Sequence, residues 1–327
     1  MNRALRLIGR RLLGAIPVLA IVIVGTFLLL ELAPGDAVDA YIASTGGDAA
    51  MISALRESWG LNQSASARFW LFVSRLAQGD LGWSVSFSRP VLDVILERLP
   101  RTLLLMGSAT ALSFALGSLF GVMAGARPGS LRDRFLSVTS LALYAMPSFW
   151  LGLVLSVIFA VNLRWFPLSG FETIASNRVG LDRASDIAIH LALPVIALGL
   201  VYMALYMRVM RAGMAEVWRE DFVRALIARG FSHGRIVRHI ARNALLPLTT
   251  MLGVQAAVML GGSVVIESVF AIPGLGRLTQ EAVAGRDTPL LLGIILVSAL
   301  FVVAVNLVID LVYAWLDPRI GASGETL

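Results

Sequence analysis

The side chains that could carry chemistry are few, and their spacing excludes most catalytic and metal-binding sites. The chain has no cysteine, so thiol chemistry and cysteine metal ligands are absent. Its histidines are scattered, at His190, His233 and His239, and no HExxH, GxSxG or paired-carboxylate pattern occurs. All 27 basic residues are arginine, which excludes the phosphate loop, since that motif needs lysine. We therefore expect no enzyme activity, no metal and no cofactor bound by this chain.

The chemically distinctive stretch is RALIARGFSHGRIVRHIARNALLP, residues 224–247, which carries five arginines between two apolar runs. Its second half separates charge from apolar side chains at helical spacing: Arg235, Arg238 and Arg242 on one face, with Ile236, Ile240 and Ala244 opposite. Upstream, Phe222 pairs with Leu226, and Val223 with Ile227. Gly230 suits a helix C-cap, and Ser232 suits the next N-cap. The pattern predicts two helices joined by a tight turn.

Two interpretations of this basic hairpin remain open on composition alone. A basic amphipathic segment binds anionic lipid headgroups at a membrane surface. The same segment could instead dock in a groove of a cytoplasmic partner, with its apolar side chains as anchors and its arginines at the rim.

The elements that position this hairpin are predicted to be membrane-spanning helices. Apolar residues make up 57% of the 327 residues and charged residues only 15%, against about 25% charged in soluble domains. A helix needs about 20 apolar residues to cross the hydrocarbon core. Six runs qualify: Leu12–Leu30, Thr102–Ala126, Phe135–Leu163, Ile187–Met207, Asn243–Ile266 and Thr288–Ile309. The first run is longer than a signal-peptide core, so we expect a retained anchor. The predicted fold class is an all-α integral membrane protein.

Charge asymmetry orients the six spans. Segments on the side of the two termini hold 16 arginines and a net charge of +10, whereas those on the opposite side hold 11 arginines and −3. Because arginine is enriched in cytoplasmic loops, both termini are predicted to be cytoplasmic. Topology also explains the overall charge of +6, so we expect no nucleic-acid partner. The external loop contains two amphipathic stretches, MISALRESWGLN and ARFWLFVSRLAQGDLGWS, which predict short surface helices.

Small and polar residues mark specific points within the spans. Gly117, Gly121 and Gly125 form a small-xxx-small ladder on the second span, which predicts close helix packing. Three prolines in or near spans are expected to bend them: Pro147, Pro194 and Pro247. His190 and Asp310 lie near span ends, where ordinary structural roles are favoured over functional ones.

These fragments together resemble a known family, the permease subunits of binding-protein-dependent ABC importers, in the branch that carries dipeptides, oligopeptides and sometimes nickel. The resemblance covers nearly the whole chain. It rests on the following fragments in order: RRLLGAIPVLAIVIVGTFLLLELAPGD, WGLN, GDLGWS, RPVLDVILERLPRTLLL, YAMPSFWLGLVL, WFPLSG, DFVRALIARGFSHGRIVRHIARNALLP, ESVFAIPGLGRL and YAWLDPRI.

The resemblance implies that the hairpin is the element that couples the permease to an ATPase. The general superfamily pattern is Glu-Ala-Ala, three residues, Gly, nine residues, Ile, one residue and Leu-Pro. Here Arg224 replaces the glutamate, and Leu246-Pro247 comes four residues late, which puts any role borrowed from that glutamate in doubt. The residues carried over to ATPase coupling are Phe222, Val223, Arg224, Ala225, Leu226, Ile227, Gly230, Ile240 and Pro247.

The resemblance also implies the architecture and partners. The implied fold is like that of type I ABC importer permeases. It would comprise a cytoplasmic N-terminus with the first span (1–32), an external loop (33–101), a five-helix core (102–313) and a cytoplasmic tail (314–327). The coupling hairpin lies within the core, at 208–247. Implied partners in the bacterial inner membrane are a second homologous permease, two ABC ATPases that hold ATP and Mg²⁺, an extracytoplasmic binding protein and membrane lipid. Residues expected along the translocation path are Tyr144, Met146, Ser148 and Trp150.

The expected function is transport of di- or oligopeptides, with nickel or glutathione as alternatives within the family. A secondary transporter would also explain six spans, but such proteins usually show internal repeats and buried charges at mid-membrane. A membrane-embedded enzyme would need clustered catalytic side chains inside the spans. The sequence shows none of these features.

Overall fold

The computed structural model describes residues 3–32, 63–174, 176 and 178–316, and these residues are mostly helical. The helices are α1 (Arg3–Leu32), α2 (Ala65–Ala77), α3 (Val91–Gly125), α4 (Leu131–Ala145), α5 (Ser148–Leu155) with a π-helical continuation (Ser156–Asn162), α6 (Gly180–Val217), α7 (Asp221–Ala228), α8 (His233–Val269), α9 (Leu275–Ala284) and α10 (Thr288–Leu316). A short antiparallel pair, β1 (Trp83–Ser84) and β2 (Arg89–Pro90), precedes α3.

Three helices within the described ranges are long and apolar enough to cross a membrane, namely Val91–Gly125, Gly180–Val217 and Thr288–Ile309. The count becomes four if the bent pair α4 and α5 forms one span. Shorter apolar helical stretches cover Leu13–Leu29 and Val258–Val269. Each of the six predicted runs begins in a helix, but six complete spans stay a prediction.

The third predicted run is not one straight helix. Its two halves, α4 and α5, meet at an angle of 101°. The break falls at Met146 and Pro147, because proline disfavours helical backbone in the residue before it, and Met146 is extended (φ −83°, ψ 134°). The bend predicted at Pro147 is thus confirmed. Pro194 and Pro247 instead lie inside the continuous helices α6 and α8.

The described residues form two compact units, the first comprising residues 1–100 and 277–307. In this unit a buried carboxylate, Asp287, holds the β1–β2 turn. It accepts hydrogen bonds from Ser84 Oγ at 2.5 Å and from the Ser86 backbone N–H at 2.9 Å. Asp287 also accepts from the Leu290 N–H at 3.2 Å, so it caps the first turn of α10.

Helix α2 confirms one of the two predicted amphipathic helices, and the other lies outside the described residues. The external location of α2 stays a prediction. Ser64 caps α2 by accepting a hydrogen bond from the Ala67 N–H at 3.4 Å. The ring of Phe69 meets that of Phe27 from α1 edge-on, with centroids 5.2 Å apart. Aromatic packing therefore fixes α2 against α1.

The second unit comprises residues 101–276 and 308–327, and its core is a close contact between α3 and α6. The glycine ladder of α3 lies directly on large side chains of α6, in the pairs Gly117 with Tyr206, Gly121 with Met210 and Gly125 with Met214. Each α6 partner is fully buried. This contact confirms the close packing predicted from the ladder, because any side chain on these glycines would separate the two backbones.

Replacing Gly121 with alanine should therefore destabilise the helix pair. The new Cβ would lie 2.5 Å from Met210 Cβ and 2.9 Å from the Met207 carbonyl oxygen. We expect Gly121→Ala to lower the free energy of unfolding by about 1–3 kcal/mol, as overpacking does. Thermal unfolding of the detergent-solubilised chain measures the change.

Gly107→Ala is the matched control on the same helix, because beyond the neighbouring backbone of that helix no atom lies within 4 Å of its added Cβ. It should leave stability unchanged or raise it by up to about 1 kcal/mol through helix propensity. Equal effects of the two substitutions would contradict the close-packing account.

Candidate functional site

The basic stretch folds as two helices joined by a tight turn, as predicted. Helix α7 ends at Ala228 and α8 begins at His233. Gly230 adopts the left-handed conformation, with φ +74°. Its N–H donates to the Ile227 carbonyl at 2.9 Å, and the Phe231 N–H donates to the Leu226 carbonyl at 3.2 Å. This bonding is the Schellman arrangement, which confirms the predicted role of Gly230 as the helix-ending glycine.

Ser232 occupies the N-cap position of α8, as predicted, with extended backbone (φ −63°, ψ 146°). Its carbonyl accepts from the N–H groups of Arg235 and Ile236 at 2.9 and 3.1 Å. Its side chain makes no capping hydrogen bond, so backbone geometry alone starts α8 here.

One side of the hairpin is buried within its own subunit. Val223 has no exposed surface and packs in a cluster with α6 and α8 residues, including Met214 and Ile240. Leu226 is partly buried against the same cluster. These contacts fix α7 against the ends of the two long helices on either side of it.

The other side of helix α7 is exposed. Phe222 is 40% exposed and Ile227 56% exposed. Arg224 and Ala225 are also exposed, and Arg224 pairs with Asp221 at 3.3 Å. The four apolar residues predicted to form one docking face therefore lie on two sides of α7. Val223 and Leu226 pack inside the subunit, whereas Phe222 and Ile227 are exposed.

Two of the residues predicted to couple to an ATPase lie on α8, and they also differ in exposure. Ile240 is fully buried in the cluster, whereas Pro247 is exposed. The predicted separation of faces on α8 is confirmed, because the three arginines are exposed while the three apolar residues opposite them are buried: Arg235, Arg238 and Arg242 against Ile236, Ile240 and Ala244.

An ion pair near the hairpin was missed in the sequence. Arg211 on α6 donates two hydrogen bonds to the carboxylate of Asp133 at the start of α4, from Nε at 2.5 Å and from Nη2 at 2.9 Å. Asp133 is 2% exposed and also accepts from the Gly129 N–H at 2.9 Å. The single acid among the arginines of segment 127–134 was the available signal. This pair joins the start of α4 to α6, near the end of α6 that leads into the hairpin.

A second buried carboxylate, Glu267, closes the far end of α8. It is fully buried and accepts hydrogen bonds from Thr102 Oγ1 and from the Gly276 N–H, both at 2.7 Å. A Cβ on Gly274 would lie 2.5 Å from Thr102 Oγ1 and from Glu267 Cδ, so the loop after α8 passes closely over this pair. In the fragment ESVFAIPGLGRL, Glu267 thus makes a buried polar contact, and Gly274 leaves the space that this contact needs.

The segment between α5 and α6 is held by two acids. Asp186 accepts from the backbone N–H and the hydroxyl of Thr173, at 2.7 and 2.8 Å. Arg183 donates two hydrogen bonds to Glu172, at 2.7 and 3.1 Å, and this lowers the pKa of the Glu172 carboxyl. His190 Nδ1 lies 2.8 Å from the Asp186 carbonyl oxygen, which fits the structural role favoured for this histidine.

The residues predicted for the translocation path lie at the bend between α4 and α5. Tyr144 and Trp150 are nearly half exposed, while Met146 and Ser148 are partly buried. The guanidinium of Arg208 lies 5.0 Å from the centroid of the Tyr144 ring, a cation–π contact with α6. Their role in transport stays a prediction. The side chain of Asp310 lies outside the described residues.

No cluster of three or more potential metal ligands occurs in the part of the chain that the structure describes. The hairpin has one side that packs against the cluster of α6 and α8 residues and one side that is exposed. Its exposed elements are an apolar pair and an arginine-lined helix.

Comparison with known proteins identifies the family. Residues 117–322 match the family described as binding-protein-dependent transport system inner membrane component, and residues 4–106 match its N-terminal family. The chain belongs to this family. It is a multi-pass membrane permease component of an ABC importer, in the branch that includes the peptide permeases.

Curated relatives match along almost their full length. The oligopeptide transport system permease protein AppB of Bacillus subtilis is 37% identical over 313 residues, covering 95% of this chain and 98% of the relative. The di/tripeptide transport system permease protein DppB of Pseudomonas aeruginosa is 37% identical over 333 residues, covering 97% and 98%. The glutathione transport system permease protein GsiC of Escherichia coli is 36% identical over 312 residues, covering 95% and 97%.

The buried contact of Glu267 generates a prediction. In the unmodified chain, one carboxylate oxygen of Glu267 accepts from the Thr102 hydroxyl and the other from the Gly276 N–H. Glu267→Gln replaces one of these oxygens with an NH₂ group, which cannot accept, so one of the two buried donors loses its partner. We expect a loss of about 1–3 kcal/mol in the free energy of unfolding. Thermal unfolding of the solubilised chain measures it.

Glu281→Gln is the control, because Glu281 is one-third exposed and pairs with Arg277 at i, i+4 on the surface of α9. Such pairs contribute about 0.5 kcal/mol or less, so this variant should unfold close to the unmodified chain. A control loss as large as that of Glu267→Gln would contradict the role of burial.

Proposed function

We propose that this chain forms one half of the membrane channel of an importer for di- or oligopeptides. It pairs with a second homologous permease, and a binding protein delivers the substrate from outside the cytoplasm. The peptide substrate is supported by relatives named as oligopeptide and di/tripeptide permeases at 37% identity. Glutathione is the second candidate, because a glutathione permease matches over a similar length. Nickel stays a prediction from the resemblance.

The hairpin is proposed to dock on a partner ATPase that binds ATP and Mg²⁺. The observation that carries this proposal is the division of α7 into a buried side, with Val223, and an exposed apolar side, with Phe222 and Ile227. A helix that only rested on lipid would not need a rigid anchor to its own subunit. Arg224 at the rim suits charge pairing, which steers docking more than it adds affinity.

We further propose six spans with both termini in the cytoplasm, an external loop at 33–101, a core at 102–313 and a tail at 314–327. The arginine bias supports this orientation. In it, nucleotide binding closes the ATPase pair and moves the hairpins, which opens the pore outward; hydrolysis resets the transporter. The exposed residues at the α4–α5 bend, Tyr144 and Trp150, then lie along the predicted path.

The orientation is testable because the chain has no cysteine of its own. Three exposed serines supply matched single-cysteine variants. Ser66→Cys and Ser185→Cys should react with a membrane-impermeant maleimide in intact spheroplasts, while Ser232→Cys should react only in inverted vesicles. The reverse pattern would contradict cytoplasmic termini.

Docking is tested by charge placed on the exposed side of α7 alone. Ile227→Glu puts a carboxylate into the proposed apolar contact and should reduce copurifying ATPase at least about tenfold, as loss of an interface anchor does. Ile227→Val is the matched control and should retain the partner. Substitution at Leu226 is less diagnostic, because that side chain also packs inside the subunit.

The same preparations test the substrate. Proteoliposomes with the ATPases and binding protein should import a labelled dipeptide with ATP, and Ile227→Glu should abolish that uptake while inserting normally. Unchanged ATPase binding and uptake in Ile227→Glu would refute the docking role. Uptake of glutathione without uptake of dipeptide would favour the second candidate.

A further inference from the structure

Trp218 lies where α6 ends and the hairpin begins, and its side chain contacts the ends of two other helices. Its backbone N–H continues the helix by donating to the Met214 carbonyl at 2.9 Å. Its indole packs against the buried cluster around Val223. The hairpin therefore starts at a large aromatic side chain that is held on several sides.

The indole Nε1–H reaches helix α3, which is not adjacent to the hairpin in the chain. It donates to the carbonyl oxygen of Gly125 at 2.9 Å. Gly125 is the last residue of α3, and the last four carbonyls of a helix lack partners within that helix. Since the indole nitrogen can only donate, this carbonyl and this side chain form a specific pair.

The same ring stacks on the first residue of α8. The centroids of Trp218 and His233 are 5.8 Å apart, and the ring planes differ by 22°. One side chain thus joins the end of α6, the end of α3 and the start of α8.

Two further contacts strengthen this junction. The glycine ladder places the backbone of α3 against Met210 and Met214 of α6, and Met214 lies directly under Gly125. The pair of Arg211 and Asp133 joins α4 to α6 near the same end. A displacement of the hairpin relative to α3 would have to break the Trp218 hydrogen bond and disturb this packing.

We propose that Trp218 is a positioning residue that makes α3 move together with the coupling hairpin. This inference rests on the proposed docking function and extends it. Force from the ATPase would reach not only α6 and α8, which continue the hairpin covalently, but also α3 through the Trp218–Gly125 contact. Three helices, α3, α6 and α8, would then move together with the hairpin.

Spin labels test this in the assembled transporter. In the naturally cysteine-free chain, Arg127→Cys marks the segment just after α3, and Gly234→Cys marks the hairpin. Arg127 is exposed, and a Cβ on Gly234 meets no atom within 4 Å. We expect the same interspin distance in the nucleotide-free and vanadate-trapped states. A change of about 5 Å, the rise of one helical turn, would overturn the proposal.

Trp218→Phe tests the hydrogen bond, because phenylalanine keeps an aromatic ring but lacks the Nε1–H. We expect normal insertion and ATPase binding, with peptide imported per ATP hydrolysed reduced about fivefold, the effect of one net hydrogen bond. The distance between the two labels should then change between nucleotide states. Glu216→Gln, at an exposed position two residues earlier on the last turn of α6, is the control and should keep the normal ratio.

The outcomes separate this proposal from the docking proposal. If Ile227→Glu leaves ATPase binding intact, docking through α7 is wrong. If docking holds but Trp218→Phe retains the normal transport ratio and a constant label distance, then Trp218 has no positioning role and this inference alone is wrong.

Discussion

The close approach of α3 to α6 is the constraint on which the rest of the second unit depends. Glycine at three successive turns lets the two backbones come near enough that an added Cβ would lie 2.5 to 2.8 Å from a partner's Cβ. In a membrane, lipid tails are as apolar as the helix surface, so burial provides no driving force between helices. Dispersion between well-packed surfaces must supply it. At the end of α3, where Gly125 lies against Met214, the Gly125 carbonyl is within hydrogen-bonding distance of the indole of Trp218.

Helix α7 of the hairpin has apolar side chains on two sides, one buried and one exposed. Val223 must hold the helix to its own subunit, while Phe222 and Ile227 remain exposed. Without the buried contact, a helix of eight residues would not be stable, because isolated helices shorter than about 12 residues are marginal in water. The internal cluster thus forms the helix, and the exposed side chains give it a contact surface.

Features set by local sequence were predictable, and features set by distant pairing were not. Helical spacing gave the separation of arginine and apolar faces on α8, and the backbone freedom of glycine gave the turn at Gly230. The same spacing could not show that Val223 packs inward, because periodicity defines faces but not the neighbours that cover them. Thr102 and Glu267 are 165 positions apart, so no local pattern joins them. The break at Pro147 was expected as a bend, but its size depends on how α4 and α5 pack.

The balance between inner and outer contacts bears on how force would pass through the hairpin. Two large exposed apolar side chains, with one arginine at the rim, make a small surface compared with the roughly 800 Å² that each partner buries in a standard interface. A single hairpin would therefore hold an ATPase weakly. Two hairpins, one from each proposed permease subunit, would raise the affinity by making the second contact intramolecular. In that arrangement each hairpin needs to transmit displacement more than to bind tightly. Rigidity inside the subunit, at Val223 and Trp218, then matters more than the area of the docking surface.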